Sequence, residues 1–267
     1  MRHRPSSVLI VIATYNEREN LLPLARKICQ IESEADLLIV DDNSPDGTGL
    51  LADSLASENH RVKVLHRPVK EGLGPALTAA FRWALARSYD RILNMDGDFS
   101  HAPEDIPGLL KAAERADVAI GSRYFRGIRV VNWPVRRLLL SVLAAKYVKA
   151  ITGLPVDDPT SGFRCFRRDA LLGLDLDTIK SKGYFFHVET LSTVWRRGLR
   201  IEEYPITYTD RTAGQTKISA RIILEAALRT WPIGFKASFT RPLPAPMLPV
   251  NPAPNLVPSD NWARPPV

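Results

Sequence analysis

Short, nearly continuous apolar runs that alternate with helical patterns constrain the first half of this 267-residue chain more than any other feature. Val8–Ala13, Leu37–Asp41, Val62–His66, Arg91–Met95 and the shorter Val118–Ile120 read as strands. Between them, Glu17–Gln30 (apolar at Leu21, Leu24, Ala25 and Ile28), Thr48–Glu58 and Gly74–Ser88 read as helices. Strands this apolar are buried on both sides, so the expected class is α/β: a mostly parallel, Rossmann-like sheet with helices on both faces. Ligands of such sheets bind beyond the carboxyl ends of the strands. The second half is less regular. A long helix is expected from Pro134, an element over Thr160–Phe166, a helix near Phe186–Arg197, a strand at Arg200–Ile206 and a helix from Lys217 to about Thr230. Residues 1–240 are expected to form one domain. Residues 241–267 hold nine of the 21 prolines and no glycine, the composition of an extended or disordered tail.

Three of the strands end in carboxylate-bearing turns: Thr14-Tyr15-Asn16-Glu17, Asp41-Asp42-Asn43-Ser44-Pro45-Asp46-Gly47, and Asp96-Gly97-Asp98-Phe99-Ser100-His101. Asp96 and Asp98, two apart on extended backbone, point the same way, and Gly97 lets the chain bend between them. Two converging oxygen ligands suit Mg²⁺ or Mn²⁺, which complete their shells with water and substrate phosphates. His101 either adds a nitrogen ligand or caps the helix expected near Pro103. Asp41 and Asp42 either read the donors of a base or ribose or form an Asx turn with Asn43 and Ser44. Gly72-Leu73-Gly74 follows the third strand and has too few glycines for a dinucleotide fingerprint, which excludes a dehydrogenase.

The formal net charge of +7 equals the seven cations between Gly121 and Val156, a stretch without a single carboxylate. That asymmetry points to an anionic partner. Phosphate-binding candidates are Gly121-Ser122-Arg123-Tyr124, the helix opening Trp133-Pro134-Val135-Arg136-Arg137, and the loop Arg211 to Lys217. Cys29 and Cys165 lack metal-ligand spacing and are expected as buried free thiols, in keeping with a cytoplasmic setting. No apolar stretch reaches the roughly 20 residues of a membrane-spanning helix; Leu138–Leu154 is broken by Lys146 and Lys149.

In order and spacing these motifs, with Thr160-Ser161-Gly162-Phe163-Arg164 and Gly214 to Lys217, resemble family-2 glycosyltransferases of the GT-A fold. They are most similar to dolichol- and polyprenol-phosphate mannose synthases, over roughly residues 8–230. The resemblance implies a GDP-mannose donor, a divalent cation and a polyprenyl-phosphate acceptor. By matching position, Thr14, Tyr15, Glu17, Asp41 and Asp42 serve the nucleotide. Asp96 and Asp98 hold the metal, with Ser100 where some relatives place a glutamine ligand. Arg123, Arg137, Ser141, Arg211 and Lys217 hold donor or acceptor phosphates, and Asp96, Asp98, Arg211 and Lys217 form the implied catalytic set. Some relatives carry transmembrane helices after the catalytic domain. Here attachment is expected to be peripheral, through Leu138–Leu154 and Ile218–Phe239, or through a membrane-anchoring partner. The rival readings are transfer of glucose or an aminosugar by the same fold, and a sugar nucleotidyltransferase. The latter wants a glycine-rich basic loop where Thr14-Tyr15-Asn16-Glu17 stands. A nucleic-acid binder, suggested by the pI of about 9.5, leaves three carboxylate-tipped strands unexplained.

Overall fold

The computed structural model describes residues 7–210. Arg211, Lys217, the helix expected from Lys217, the segment Ile218–Phe239 and the tail 241–267 lie outside the described residues. The described chain runs β1 (Val8–Thr14), α1 (Arg18–Ile31), β2 (Asp36–Asp41), α2 (Thr48–Glu58), β3 (Val62–His66), α3 (Leu73–Leu85) and β4 (Arg91–Asp96). A 3-10 turn (Pro103–Asp105) leads into α4 (Ile106–Ala112), β5 (Val118–Ser122), β6 (Val130–Val131) and α5 (Val135–Thr152). Then come β7 (Arg164–Arg167), α6 (Arg168–Leu172), α7 (Phe185–Arg196), β8 (Ile201–Pro205) and β9 (Tyr208–Thr209).

Seven strands form one sheet in the order β3-β2-β1-β4-β7-β5-β8. All neighbours are parallel except β7, which runs antiparallel to β4 and β5. Side chains alternate across each strand, so the two faces have separate cores. Leu9, Val11, Leu38 and Val40 face α3, α6 and α7, where Phe81 meets Phe166 edge-on at 5.3 Å. Ile10, Ile12, Leu37 and Ile39 face α1, α2 and α4. Each such side chain, buried from water, contributes roughly 1.5–3 kcal/mol.

The first four strands and α2 form where hydrophobic periodicity places them, within a residue or so at their ends. The element expected over Thr160–Phe166 is narrower: Thr160–Gly162 is loop and the strand begins at Arg164. The seven-residue α4, the five-residue α6 and the two-residue strands β6 and β9 are too short for periodicity to show. Both cysteines are free, but only Cys165 is fully buried, and burial pushes its thiol up to about 12. Cys29 is half-buried, on the edge of its core.

Candidate active site

Sheet register brings the carboxylate turns together. Thr14 pairs with Asp41, and Ala13 with Asp96, so β1, β2 and β4 end side by side. Each of the three turns contains a non-glycine residue in the left-handed region: Asn16 (φ 57), Asn43 (φ 61) and Phe99 (φ 61). Asparagine tolerates that region; phenylalanine there is strained.

The first turn hangs on the second. Asn16 N–H donates to Ser44 Oγ (3.0 Å) and Glu17 N–H to Thr48 Oγ1 (3.1 Å). Glu17 accepts from Asn20 Nδ2 (2.9 Å), and Lys70 Nζ lies 3.5 Å above the Tyr15 ring. Asp41 Oδ2 accepts from Ser44 N–H (3.1 Å), three residues on, which curls the turn back on the strand end, and Thr14 Oγ1 donates to Val40 O (3.3 Å). Asp42 anchors the following loop: its carboxylate accepts from Gly72 N–H (2.7 Å), Glu71 N–H and the Arg67 guanidinium.

The third turn is tighter. A Cβ on Gly97 would stand 3.1 Å from Ile12 Cγ2, closer than ordinary contact, so glycine lets the turn press tightly on β1. Asp96 is partly exposed and Asp98 is buried, with Oδ1 accepting from Ser100 N–H (3.1 Å) and Ser100 Oγ (2.5 Å). His101 is buried as well. Its Nδ1 accepts from Asp96 N–H (3.2 Å), so the ring braces the end of β4 and does not cap the turn at Pro103. Among the described residues, no three His, Cys, Asp or Glu side chains form a group able to hold a metal by themselves. Two carboxylates on a preformed turn fit a hard cation whose remaining ligands come from phosphates and water.

A two-stranded sheet closes over this turn. β6 pairs with β9, Tyr208 N–H donates to Arg129 O (2.9 Å), and Thr209 N–H donates to Ser100 O (3.3 Å). His101 stacks on Phe163 (5.1 Å), and Tyr208 packs edge-on against His101 (5.5 Å) and Trp133 (5.3 Å). Burial first, and then the Asp96 and Asp98 charges, push the Tyr208 phenol up to about 12. This sheet draws the basic segment onto the carboxylate turns. Arg123 is buried and grips Asp158 with two hydrogen bonds of 2.7 Å, adding Thr160 Oγ1 at 2.8 Å. Arg137 is held by Asp210 (2.8 Å) and lies 4.1 Å over the Trp133 ring. The Tyr124 hydroxyl bonds Ser141 Oγ (2.7 Å), and Lys149 pairs with Asp157 (2.7 Å). Three cations of the acid-free stretch are thus matched by carboxylates: Asp157 and Asp158 just outside it, and Asp210 after β9. Sequence reasoning did not find Asp158, Tyr208 or the fully buried Arg164 as parts of the site. Only Arg164 carried a signal, inside the Thr160–Arg164 motif.

Residues 9–173 of the chain match the pattern of Glycosyl transferase family 2. The chain belongs to that family. It is therefore a glycosyltransferase. The chain is 45% identical to the undecaprenyl-phosphate mannosyltransferase of Micrococcus luteus over 230 residues, 86% of this chain and 95% of that one. It is 43% identical to the polyprenol monophosphomannose synthase of Mycolicibacterium smegmatis over 241 residues, 89% of this chain and 91% of that one. The fold is shared with glucosyl-3-phosphoglycerate synthase of Mycobacterium tuberculosis, solved with Mn²⁺, UDP and glucosyl-3-phosphoglycerate. That likeness has a TM-score of 0.64 at 20% identity and covers 86% of this chain and 81% of that chain. The sheet is accordingly of the GT-A type.

Proposed function

We propose that this glycosyltransferase moves mannose from GDP-mannose to a polyprenyl phosphate, with inversion at the anomeric carbon. The observation that carries the reading is the meeting of two carboxylates, Asp96 and Asp98, with the arginine-rich segment of β6 and α5 at one end of the sheet. The names of the two relatives from Micrococcus luteus and Mycolicibacterium smegmatis agree with it. A divalent cation, Mg²⁺ or Mn²⁺, held by Asp96 and Asp98 would neutralise charge growing on the leaving diphosphate. Ser100 donates to Asp98 through its N–H and its Oγ, which fixes the carboxylate, and the Oγ lone pairs would offer the same cation a third ligand. Thr14, Tyr15, Glu17, Asp41 and Asp42 line the strand ends where the nucleotide would lie. Arg123 acts through its pair with Asp158, which shapes the loop 158–162, while Arg137 and Ser141 face the acceptor phosphate. The roles of Arg211 and Lys217 as further phosphate ligands belong to the same proposal.

The acceptor is already a nucleophile. A lipid phosphate with its second pKa near 6 is largely ionised at neutral pH, so one of its oxygens attacks the anomeric carbon without a general base. The bond from that carbon to the donor's β-phosphate oxygen breaks as the new bond forms, and the nucleoside diphosphate leaves. A transfer assay with radiolabelled GDP-mannose, other nucleotide sugars and polyprenyl phosphate tests the reading. We expect mannolipid from GDP-mannose; product only from a glucose or aminosugar donor would replace it with the rival of the same fold.

No described helix is long and apolar enough to cross a membrane. The first half of α5 nevertheless exposes Val135, Leu139, Leu140 and Leu143 on one face, 56–71% accessible, with Ile128 close in sequence and Arg136 and Lys146 exposed nearby. Leucines beside cations are the pattern of interfacial binding, and this face would meet the bilayer that holds the acceptor. Flotation should show binding to anionic liposomes that weakens as salt rises. Leu139→Ser with Leu143→Ser should weaken it at least several-fold. Equal flotation of the double variant would assign recruitment to another segment or to a partner protein.

A further inference from the structure

One short loop joins the two sides of the site, and a buried cation holds it. The loop 158–162 meets the cationic side through Asp158 and Thr160, which bind Arg123. It meets the carboxylate side at Gly162, where a Cβ would stand 3.2 Å from Asp96 Oδ1, so that carboxylate packs tightly on the glycine backbone. Ser161 Oγ donates to Gly121 O (2.6 Å) and Asn94 Nδ2 to Gly162 O (2.5 Å), tying the loop to β5 and β4. The fully buried Arg164 guanidinium donates to Pro159 O (2.7 Å), Ser161 O (2.8 Å) and His187 O (2.5 Å). One planar fork thus binds two loop carbonyls to the first turn of α7. Every described hydrogen bond of this cation goes to a neutral oxygen, and the carboxylate of Asp158 is already gripped by Arg123. Burial pushes the Arg164 guanidinium down to about 9, against the pull of the Asp158 charge, and it stays a cation at neutral pH. A buried charge without a carboxylate of its own costs stability that an apolar side chain of similar volume would not. What the fork adds over an apolar side chain is a fixed position for the loop.

We propose that Arg164 is a positioning residue for sugar transfer: by fixing the backbone of the loop 159–162, it sets the orientation of the Asp96 carboxylate that packs on Gly162. The inference rests on the reading, given under Proposed function, that Asp96 and Asp98 hold a divalent cation. Ser100 fixes Asp98 within the turn itself. Asp96 instead packs on a loop that comes from elsewhere in the chain and needs an anchor of its own. Small divalent cations demand closely defined oxygen geometry. A carboxylate that shifts with the loop therefore ligates less well and misplaces the leaving diphosphate. The fork matters as well as the charge, because an ammonium cannot present the planar set of donors that these carbonyls accept.

The test compares Arg164→Lys, Arg164→Met and Gly162→Ala with the parent, each assayed well below its melting temperature. Mn²⁺ binding beside GDP is read by calorimetry and by the electron paramagnetic resonance spectrum of the bound ion, and transfer from GDP-mannose gives kcat. We expect Arg164→Met to lower kcat about 10- to 100-fold, the scale of a misplaced reacting group, with metal-free GDP affinity unchanged. Mn²⁺ should bind it at least several-fold more weakly and show an altered spectrum. Gly162→Ala leaves the Arg164 side chain in place but pushes a Cβ onto Asp96 Oδ1, and should show the same metal defect. Arg164→Lys keeps the charge without the fork and should fall between the parent and Arg164→Met. In an Asp96→Asn background Arg164→Lys should cost little more, because both changes act through one carboxylate. A lowered melting temperature with parental kcat, Mn²⁺ affinity and spectrum in the Arg164 variants marks a packing role and overturns the proposal. If Arg164→Met does not fold, the other two variants decide, and parental metal binding in both overturns it. If the parent itself binds no Mn²⁺ beside GDP, the cation reading has failed and takes this inference with it.

Discussion

Asp98→Asn should lower sugar transfer by at least about 100-fold, the scale of losing one preorganised electrostatic contact, while leaving the fold in place. The amide is nearly isosteric, and its oxygen can still accept from Ser100 N–H and Oγ, so the turn keeps the bonds that shape it. What disappears is the charge. Asp96→Asn should behave alike, because Asp96 ends the central strand β4 with its carboxylate partly open to solvent. In both variants nucleotide binding should lose its dependence on Mg²⁺ or Mn²⁺, read by calorimetry with and without the metal. Parental transfer rates in either variant, or in the parent enzyme after EDTA, would show that these carboxylates do not hold a catalytic cation.

The turns that carry this prediction were legible in the sequence because their determinants are local. Val8–Thr14, Asp36–Asp41 and Arg91–Asp96 are apolar enough to be central strands, and a parallel sheet must bring their carboxyl ends to one edge. Whatever depends on distant partners was not legible. The stretch without carboxylates ends at Val156, and the next two residues, Asp157 and Asp158, pair with Lys149 and Arg123. Counting charge within the segment therefore overstated what it offers to an anion. The antiparallel sense of β7 follows from its return between β4 and β5, which no periodicity reveals. β6 and β9 are two residues each, yet they decide that Tyr208 and Asp210 close over the Asp96 turn.

Asp158→Ala should destabilise the protein by about 3–5 kcal/mol, because it strands the Arg123 guanidinium in the interior without its counter-charge. Arg123 is almost wholly buried and gives both of its described carboxylate bonds to Asp158, which is itself inaccessible. Surface ion pairs of the same chain, such as Arg82 with Asp177, should contribute well under 1 kcal/mol by comparison. At roughly 2–4 °C per kcal/mol for a domain of this size, the melting temperature should fall by about 6–20 °C. Arg123→Lys should cost less, since an ammonium keeps the charge but loses the fork. Replacing both partners with apolar residues of similar volume should recover much of the loss, which separates a stranded charge from a simple cavity. The pair also sets a sign for pH. Burial pushes the Asp158 carboxyl up, but the Arg123 charge and its hydrogen bonds outweigh burial, and the folded-state pKa lies below the ordinary value. The pair's contribution is therefore fully present above the unfolded carboxylate pKa of about 3.9 and is lost as pH falls through the lower folded value. Urea midpoints from neutral pH down to about pH 3 should fall more steeply for the parent than for Asp158→Asn, which has no carboxylate left to protonate there. Parallel curves, or an Asp158→Ala protein that melts with the parent, would mean that Arg123 finds its counter-charge elsewhere.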